Sequence, residues 1–367
     1  MKGVFIFSLF PLVAAFPLRG YFPFESRVDE PGERVCALYQ RGSTSAFLLT
    51  SLLTCGCGQL SPCPNERLNT SATQPSPQTF AEQPYVGTAD AYQFGPLQVV
   101  STAIERCDRG APVLLRIHAP EDPGHYAVLL FQHGFMVESS AYEGMLRQIA
   151  SHGFVVVAPQ MYQPGLMALF GTPTAFEEAE VASGLVDWMT EHLSAVTGVT
   201  ARVDRLAIGG HSRGGKVAWL TALKDATRFR AIIGVDPVDG RGGPAGNQPR
   251  VAAEPFPFNL PALVIGAGLN GACAPTGDNY VQFYESSQSP AWRIVAKNYA
   301  HGDMLDEPAA AASAAFCGTG ADRESMRRAT AGMMVLFLRE ALQRGGSPPG
   351  DLYVANPPPI EIDAVSK

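Results

Sequence analysis

The stretch that most constrains this chain is residues 204–219, DRLAIGGHSRGGKVAW. Leu206, Ala207 and Ile208 form a short apolar run that ends in Gly209 and Gly210. His211, Ser212 and Arg213 follow, then Gly214 and Gly215, and a helix-like run starts at Lys216. The order is strand, tight turn, helix, with a serine at the turn. Gly210-His211-Ser212-Arg213-Gly214 fits G-x-S-x-G, the pattern of a serine nucleophile on a sharp strand-to-helix turn. The glycines leave room for that turn. The amide after the serine sits at a helix N-terminus, where developing negative charge is stabilised. The five-residue pattern is common by chance, but the flanking strand and helix separate this case from an ordinary Gly-rich turn.

A serine nucleophile needs a base to take its proton and a carboxylate to orient that base. On a turn of this kind the chain order is Ser, acid, His. Of the seven histidines only His301 follows Ser212, in the loop Tyr299-Ala300-His301-Gly302-Asp303. The acid is less direct. The apolar run 262–265 leads into Gly266-Ala267-Gly268-Leu269-Asn270, which has no carboxylate, whereas the preceding run, Ala231–Val235, is followed at once by Asp236. Asp236 therefore reaches the same sheet edge as Ser212 and is preferred to Asp239 and Asp278. The run Phe131-Gln132-His133-Gly134-Phe135 ends a strand where an oxyanion loop belongs. The backbone N–H groups of Phe135 and Arg213 are the expected donors, and His133 reads as a turn residue.

Strands and helices alternate around this stretch. Residues 113–118, 126–132, 154–158, Ala231–Val235, 262–265 and 292–295 are apolar runs of strand length. Tyr142, Met145, Leu146 and Ile149 recur at helical spacing, as do Val181, Leu185, Trp188 and Met189; a last helix is expected over 323–342. Alternation with continuous apolar strands predicts an α/β fold, a mostly parallel central sheet covered by helices on both faces.

The chain divides into 1–81, 82–345 and 346–367. Met1-Lys2 and the apolar run 3–16 read as a secretory signal. A second apolar run, 46–53, precedes Cys55, and 59–83 is linker-like. This fits either a two-part presequence of algal plastid type or a bacterial envelope protein, and leaves localisation between plastid and envelope. The Pro-rich tail, with five prolines over 345–367, reads as a surface extension. No apolar run reaches the roughly 18 residues of a spanning helix. A net charge of −7 without a basic block speaks against nucleic acid. Seven cysteines, four of them within the first 63 residues, give no pairing that can be read, and Cys55, Cys57 and Cys63 lack the histidines of a zinc site.

With these motifs in place, the chain resembles the chlorophyllase family of serine α/β-hydrolases. The matching stretches are 130–135 (LFQHGF), 149–162 (IASHGFVVVAPQMY), 210–215 (GHSRGG), 234–240 (GVDPVDG), 273–279 (CAPTGDN) and 301–306 (HGDMLD). They span about residues 85–345. The resemblance implies an α/β-hydrolase fold, the triad Ser212, Asp236 and His301, no metal or cofactor, and a substrate such as chlorophyll or another bulky lipophilic ester. Peripheral membrane contact stays open. The apolar stretch 162–174, with Leu166, Met167, Leu169 and Phe170, is expected to line a lid or lipid-tail groove. Two alternatives stand beside this reading: a general carboxylesterase or polyester hydrolase with the same triad, and a non-catalytic pigment- or lipid-binding module.

Overall fold

The computed structural model describes residues 89–165, 168–240, 248–269 and 271–367. It also describes a two-stranded antiparallel ladder, Val28–Asp29 against Glu33–Arg34, within a separate compact unit, residues 1–57. The rest of the presequence and linker expected over 1–81 lies outside the described residues.

The second unit holds strands β1 (Val99–Ile104), β2 (Leu114–Pro120), β3 (His125–Gln132), β4 (Phe154–Gln160), β5 (Thr200–His211), β6 (Ala231–Val235), β7 (Ala262–Ala267), β8 (Ala291–Ala296) and β9 (Ile362–Ser366). These form one nine-stranded sheet in the order β9-β8-β7-β6-β5-β3-β4-β2-β1. Neighbours from β4 through β3, β5, β6 and β7 to β8 run parallel; the β1–β2, β2–β4 and β8–β9 pairs are antiparallel. The helices longer than one turn are α1 (Glu143–Ser151), α2 (Ala175–Thr197), α3 (Arg213–Lys224), α4 (Tyr280–Ser286), α5 (Ala309–Cys317) and α6 (Arg323–Leu338); Ala168–Gly171 and Leu352–Ala355 are four-residue helices. This is the α/β-hydrolase architecture that the resemblance implies.

The apolar strands are continuous because both faces are covered. Successive side chains point to opposite sides, so Leu129 and Phe131 of β3 join Met145 and Leu146 of α1 and Phe337 of α6 in one core. Val128 and Leu130 join Leu185 of α2 and Trp219 of α3 in the other. Each such side chain stabilises the fold by about 1.5–3 kcal/mol. Helix α2 begins where sequence chemistry says it should. The Thr174 hydroxyl accepts the Glu177 amide and the Glu177 carboxylate accepts the Thr174 amide; the helix ends at Gly198 with φ 75°.

Three features differ from the sequence expectation. The tail is not a surface extension: β9 pairs with β8 from Ile362 opposite Ala296 to Ser366 opposite Trp292. Leu352 and Tyr353 are buried before it, and the Tyr353 hydroxyl donates to the Met333 carbonyl at 3.0 Å. Strand β1 carries no apolar run, because an edge strand buries little; of its six residues only Ile104 is fully buried. Finally, Cys273 and Cys317 form a disulfide across 44 residues of sequence, and Cys107 is disulfide-bonded as well. Pairing cannot be deduced from cysteine spacing alone. Closing a loop of that length removes about 4 kcal/mol of unfolded-chain entropy.

Candidate active site

Strand β5 delivers the serine. Ser212 has φ 54° and ψ −123°, a conformation that costs a non-glycine residue about 1–3 kcal/mol. Its amide donates to Val235 O at 3.0 Å, and its carbonyl accepts from Gly215 at 3.0 Å and Val238 at 3.1 Å. The flanking glycines are required by close approach. A Cβ on Gly210 would stand 2.4 Å from the Gly214 backbone, one on Gly214 2.3 Å from Gln132 O, and one on Gly215 2.5 Å from Pro237 Cβ. The turn is wedged between the ends of β3 and β6, and that wedge holds the strained serine in place.

Three separate segments then converge. His301, in the loop after β8, has Nε2 2.8 Å from Ser212 Oγ. Its Nδ1 lies 2.6 Å from Asp236 Oδ2. Asp236 follows β6 directly, with φ 40°. Its other oxygen accepts the Ala267 amide at 3.0 Å, and its own amide donates to Ile265 O at 2.6 Å. All three residues are buried, Ser212 keeping 9% exposure. The carboxylate is therefore fixed by β7 and has one free direction, toward His301.

The other two carboxylates considered for this role face elsewhere. Asp278 pairs with Arg250 at 2.6 Å. Asp239 is buried, accepts the amides of Val251 at 2.9 Å and Ala252 at 2.8 Å, and pairs with Lys216 Nζ at 3.0 Å. Burial holds the Lys216 pKa below its ordinary value, while Asp239 opposes that shift. From sequence Asp239→Asn reads as a mild change. The buried pair makes it a folding change, since a buried cation without its counter-charge costs about 3–5 kcal/mol. Asp239→Asn is expected to lower the melting temperature by about 5–10 °C, with kcat of the folded enzyme within about tenfold. Thermal unfolding followed beside ester turnover checks both.

The loop 133–136 has its backbone tied off on both sides of one amide. The Gly134 N–H donates to the Tyr142 hydroxyl at 2.9 Å, and the Met136 N–H donates to the Tyr162 hydroxyl at 2.9 Å. His133 is a structural residue here: Nδ1 bonds Gly134 O at 2.8 Å and Nε2 accepts the Met161 amide at 3.0 Å. Burial lowers its pKa to about 4. Among the described residues the Phe135 N–H has no partner, nor does that of Arg213 at the first position of α3.

The Arg213 side chain braces this loop. Its guanidinium lies 5.4 Å from the Phe135 ring centre and 5.9 Å from that of Tyr162, pairs with Glu178 at 2.5 Å, and donates to Pro173 O. Burial pushes the Glu178 carboxyl up to about 7, against the opposing pull of Arg213. No sequence signal singled out the Tyr142 or Tyr162 hydroxyl or the Glu178 carboxylate: Tyr142 reads as one member of a helical repeat, Tyr162 as the start of the apolar stretch 162–174, and Glu178 carries no motif. Of the groove residues expected from sequence, Leu169 and Phe170 lie on a short helix, Ala168–Gly171. Leu166 and Met167 lie outside the described residues.

Serine, histidine and carboxylate in one hydrogen-bonded line, beside two unpaired amides, are the parts of an acyl-transfer site. A family model described as chlorophyllase matches residues 87–366. The chain belongs to the chlorophyllase family. It is similar to chlorophyllase-2 of Arabidopsis thaliana, 34% identical over 265 residues, or 66% of this chain and 81% of that protein. Chlorophyllase type 0 of Chenopodium album is 37% identical over 280 residues, 70% of this chain and 80% of its own. Chloroplastic chlorophyllase-1 of Citrus unshiu is 36% identical over 245 residues, 62% and 72% respectively. Membership of the chlorophyllase family makes the chain a carboxylic-ester hydrolase.

Proposed function

We propose that Ser212, His301 and Asp236 are the catalytic triad and that the substrate is the phytyl ester of chlorophyll. The observation that carries the triad is the continuous Asp236–His301–Ser212 line at 2.6 and 2.8 Å. Ser212 Oγ attacks the ester carbonyl carbon while His301 Nε2 takes its proton. The carbonyl oxygen becomes an oxyanion that the Phe135 and Arg213 amides bind. These donors are held in place before the reaction, so no reorganisation is needed as charge develops. The C–O bond to the alcohol then breaks, and His301 returns its proton to the departing phytol oxygen. Water, deprotonated by His301, attacks the acyl-enzyme and releases chlorophyllide and Ser212. Throughout, Asp236 keeps the proton on His301 Nδ1 and stabilises the transient imidazolium.

The substrate reading is supported by the names of the relatives, the plastid reading by the word chloroplastic in two of them. No helix among the described residues is long and apolar enough to cross a membrane. The test is incubation of the purified full chain with chlorophyll and, separately, with a small chromogenic ester. Chlorophyllide and phytol are the expected products. Turnover of the small ester alone would mean a general carboxylesterase, and turnover of neither a binding module.

The stretch that enters the short helix Ala168–Gly171 follows β4 on the side where the triad lies. Replacing Leu169 and Phe170 with serine is expected to lower kcat/KM for long-chain esters by about 10- to 100-fold and for acetate esters by less than about threefold, since each lost methylene contact is worth about 0.8 kcal/mol. A chain-length series of nitrophenyl esters reads the difference.

A further inference from the structure

Two fully buried side chains beside the triad take no part in the chemistry above. His211 precedes Ser212 on the elbow, and Tyr142 lies at the start of α1. His211 Nε2 stands 2.9 Å from the backbone oxygen of His301, and its Nδ1 stands 2.8 Å from the Tyr142 hydroxyl. That hydroxyl also takes the Gly134 amide at 2.9 Å. One hydrogen arrangement satisfies all three bonds. The Gly134 N–H donates to Tyr142 Oη, the Tyr142 O–H donates to His211 Nδ1, and the His211 Nε2–H donates to the His301 carbonyl. The arrangement needs a neutral His211. Burial, then the neighbouring His301, keep its pKa well below 6.5. Burial likewise raises the Tyr142 pKa. Ring packing holds both in place: the Phe131 and Tyr142 rings meet edge-to-face with centres 5.3 Å apart, and the His211 and His301 ring centres lie 4.6 Å apart.

The two ends of this chain are the backbone groups that matter most. Gly134 is joined by one peptide bond to Phe135, whose amide is one of the two unpaired donors. The other end is the backbone of the base itself. Residues 134 and 301 come from opposite sides of the elbow, and no single element sets their separation. We infer that His211 and Tyr142 are positioning residues that form a rigid bridge between the oxyanion loop and the base, fixing the distance from donor to base. The inference rests on the roles given above to Ser212, His301 and Phe135. A misplacement of about 1 Å in such a site costs about 100-fold in rate.

The test uses the full chain, a soluble chromogenic ester and an organophosphate label. Tyr142→Phe keeps the ring and removes the link. Its kcat is expected to fall about 10- to 100-fold with KM within about threefold, while one label per chain is still taken up, more slowly. His211→Leu is expected to do the same. His211→Gln, which keeps a donor toward the His301 carbonyl, recovers part of the loss at a melting temperature equal to that of His211→Leu. The double variant Tyr142→Phe/His211→Leu falls no further than the worse single, because both break one chain. Unchanged kcat in folded Tyr142→Phe, losses that multiply in the double variant, or losses that merely follow melting temperature would each overturn the bridge. A wild-type chain that takes no label would instead overturn the triad on which the bridge rests.

Discussion

Ser212→Ala is expected to lower kcat about 10⁶-fold on every ester this chain cleaves, leaving only the residual rate that binding and the oxyanion amides supply. The size follows from the step that is lost. Without Oγ there is no acyl-enzyme, and His301, placed 2.8 Å from where Oγ stood, has no nucleophile to deprotonate. The fold should survive. The elbow is held by the Ser212 backbone, through its bonds to Val235, Gly215 and Val238, and none of these involves the hydroxyl. Steady-state turnover beside a thermal melt separates the two consequences. A residual activity within about a hundredfold of wild type would mean that another group attacks the ester.

The second large effect concerns the acid. Asp236→Asn is expected to reduce kcat by three to four orders of magnitude, about the loss seen when a triad carboxylate becomes an amide. Asp236 Oδ2 accepts the Nδ1 proton at 2.6 Å, while Oδ1 is occupied by the Ala267 amide at 3.0 Å. In the amide variant the carbonyl oxygen is retained by the Ala267 N–H, so the NH2 group faces His301. Nδ1 must then accept, the ring proton moves to Nε2, and Nε2 can no longer take the serine proton. Asp278→Asn should leave kcat within about tenfold, because Asp278 faces Arg250 and not the histidine. Comparing kcat of the two variants at equal folded concentration decides the point. A crippled Asp278→Asn beside an active Asp236→Asn would place the acid after the later strand.

The residues of the hydrogen-bonded line Asp236–His301–Ser212 were legible in the sequence because a serine-base-acid arrangement leaves few candidates there. One histidine follows Ser212, and one carboxylate directly follows a buried strand. The central strands were legible for a related reason: a strand covered on both faces reads as a near-continuous apolar run, and β4, β6 and β7 are buried throughout. The edges were not. Strands β1 and β9 are held by ladder hydrogen bonds more than by burial, so β9 hides at the end of a proline-rich segment, and of its own five residues only Ile362 and Ala364 pack on the core, each partly buried. The supports of the site were also silent. Tyr142 and Tyr162 contribute hydroxyls, yet in the sequence they look like any other apolar-face residue. Asp239 looked like a spare carboxylate until its pairing with Lys216 brought together positions 23 residues apart.

Intact mass after treatment with an organophosphate such as diisopropyl fluorophosphate tests the central claim, that Ser212 is a nucleophile activated by His301. Wild type should gain the mass of one phosphoryl adduct per chain. Peptide mapping should place it on Ser212, and Ser212→Ala should stay unlabelled while His301→Ala labels far more slowly. A wild-type chain that stays unlabelled, or an adduct that persists in Ser212→Ala, would contradict the account.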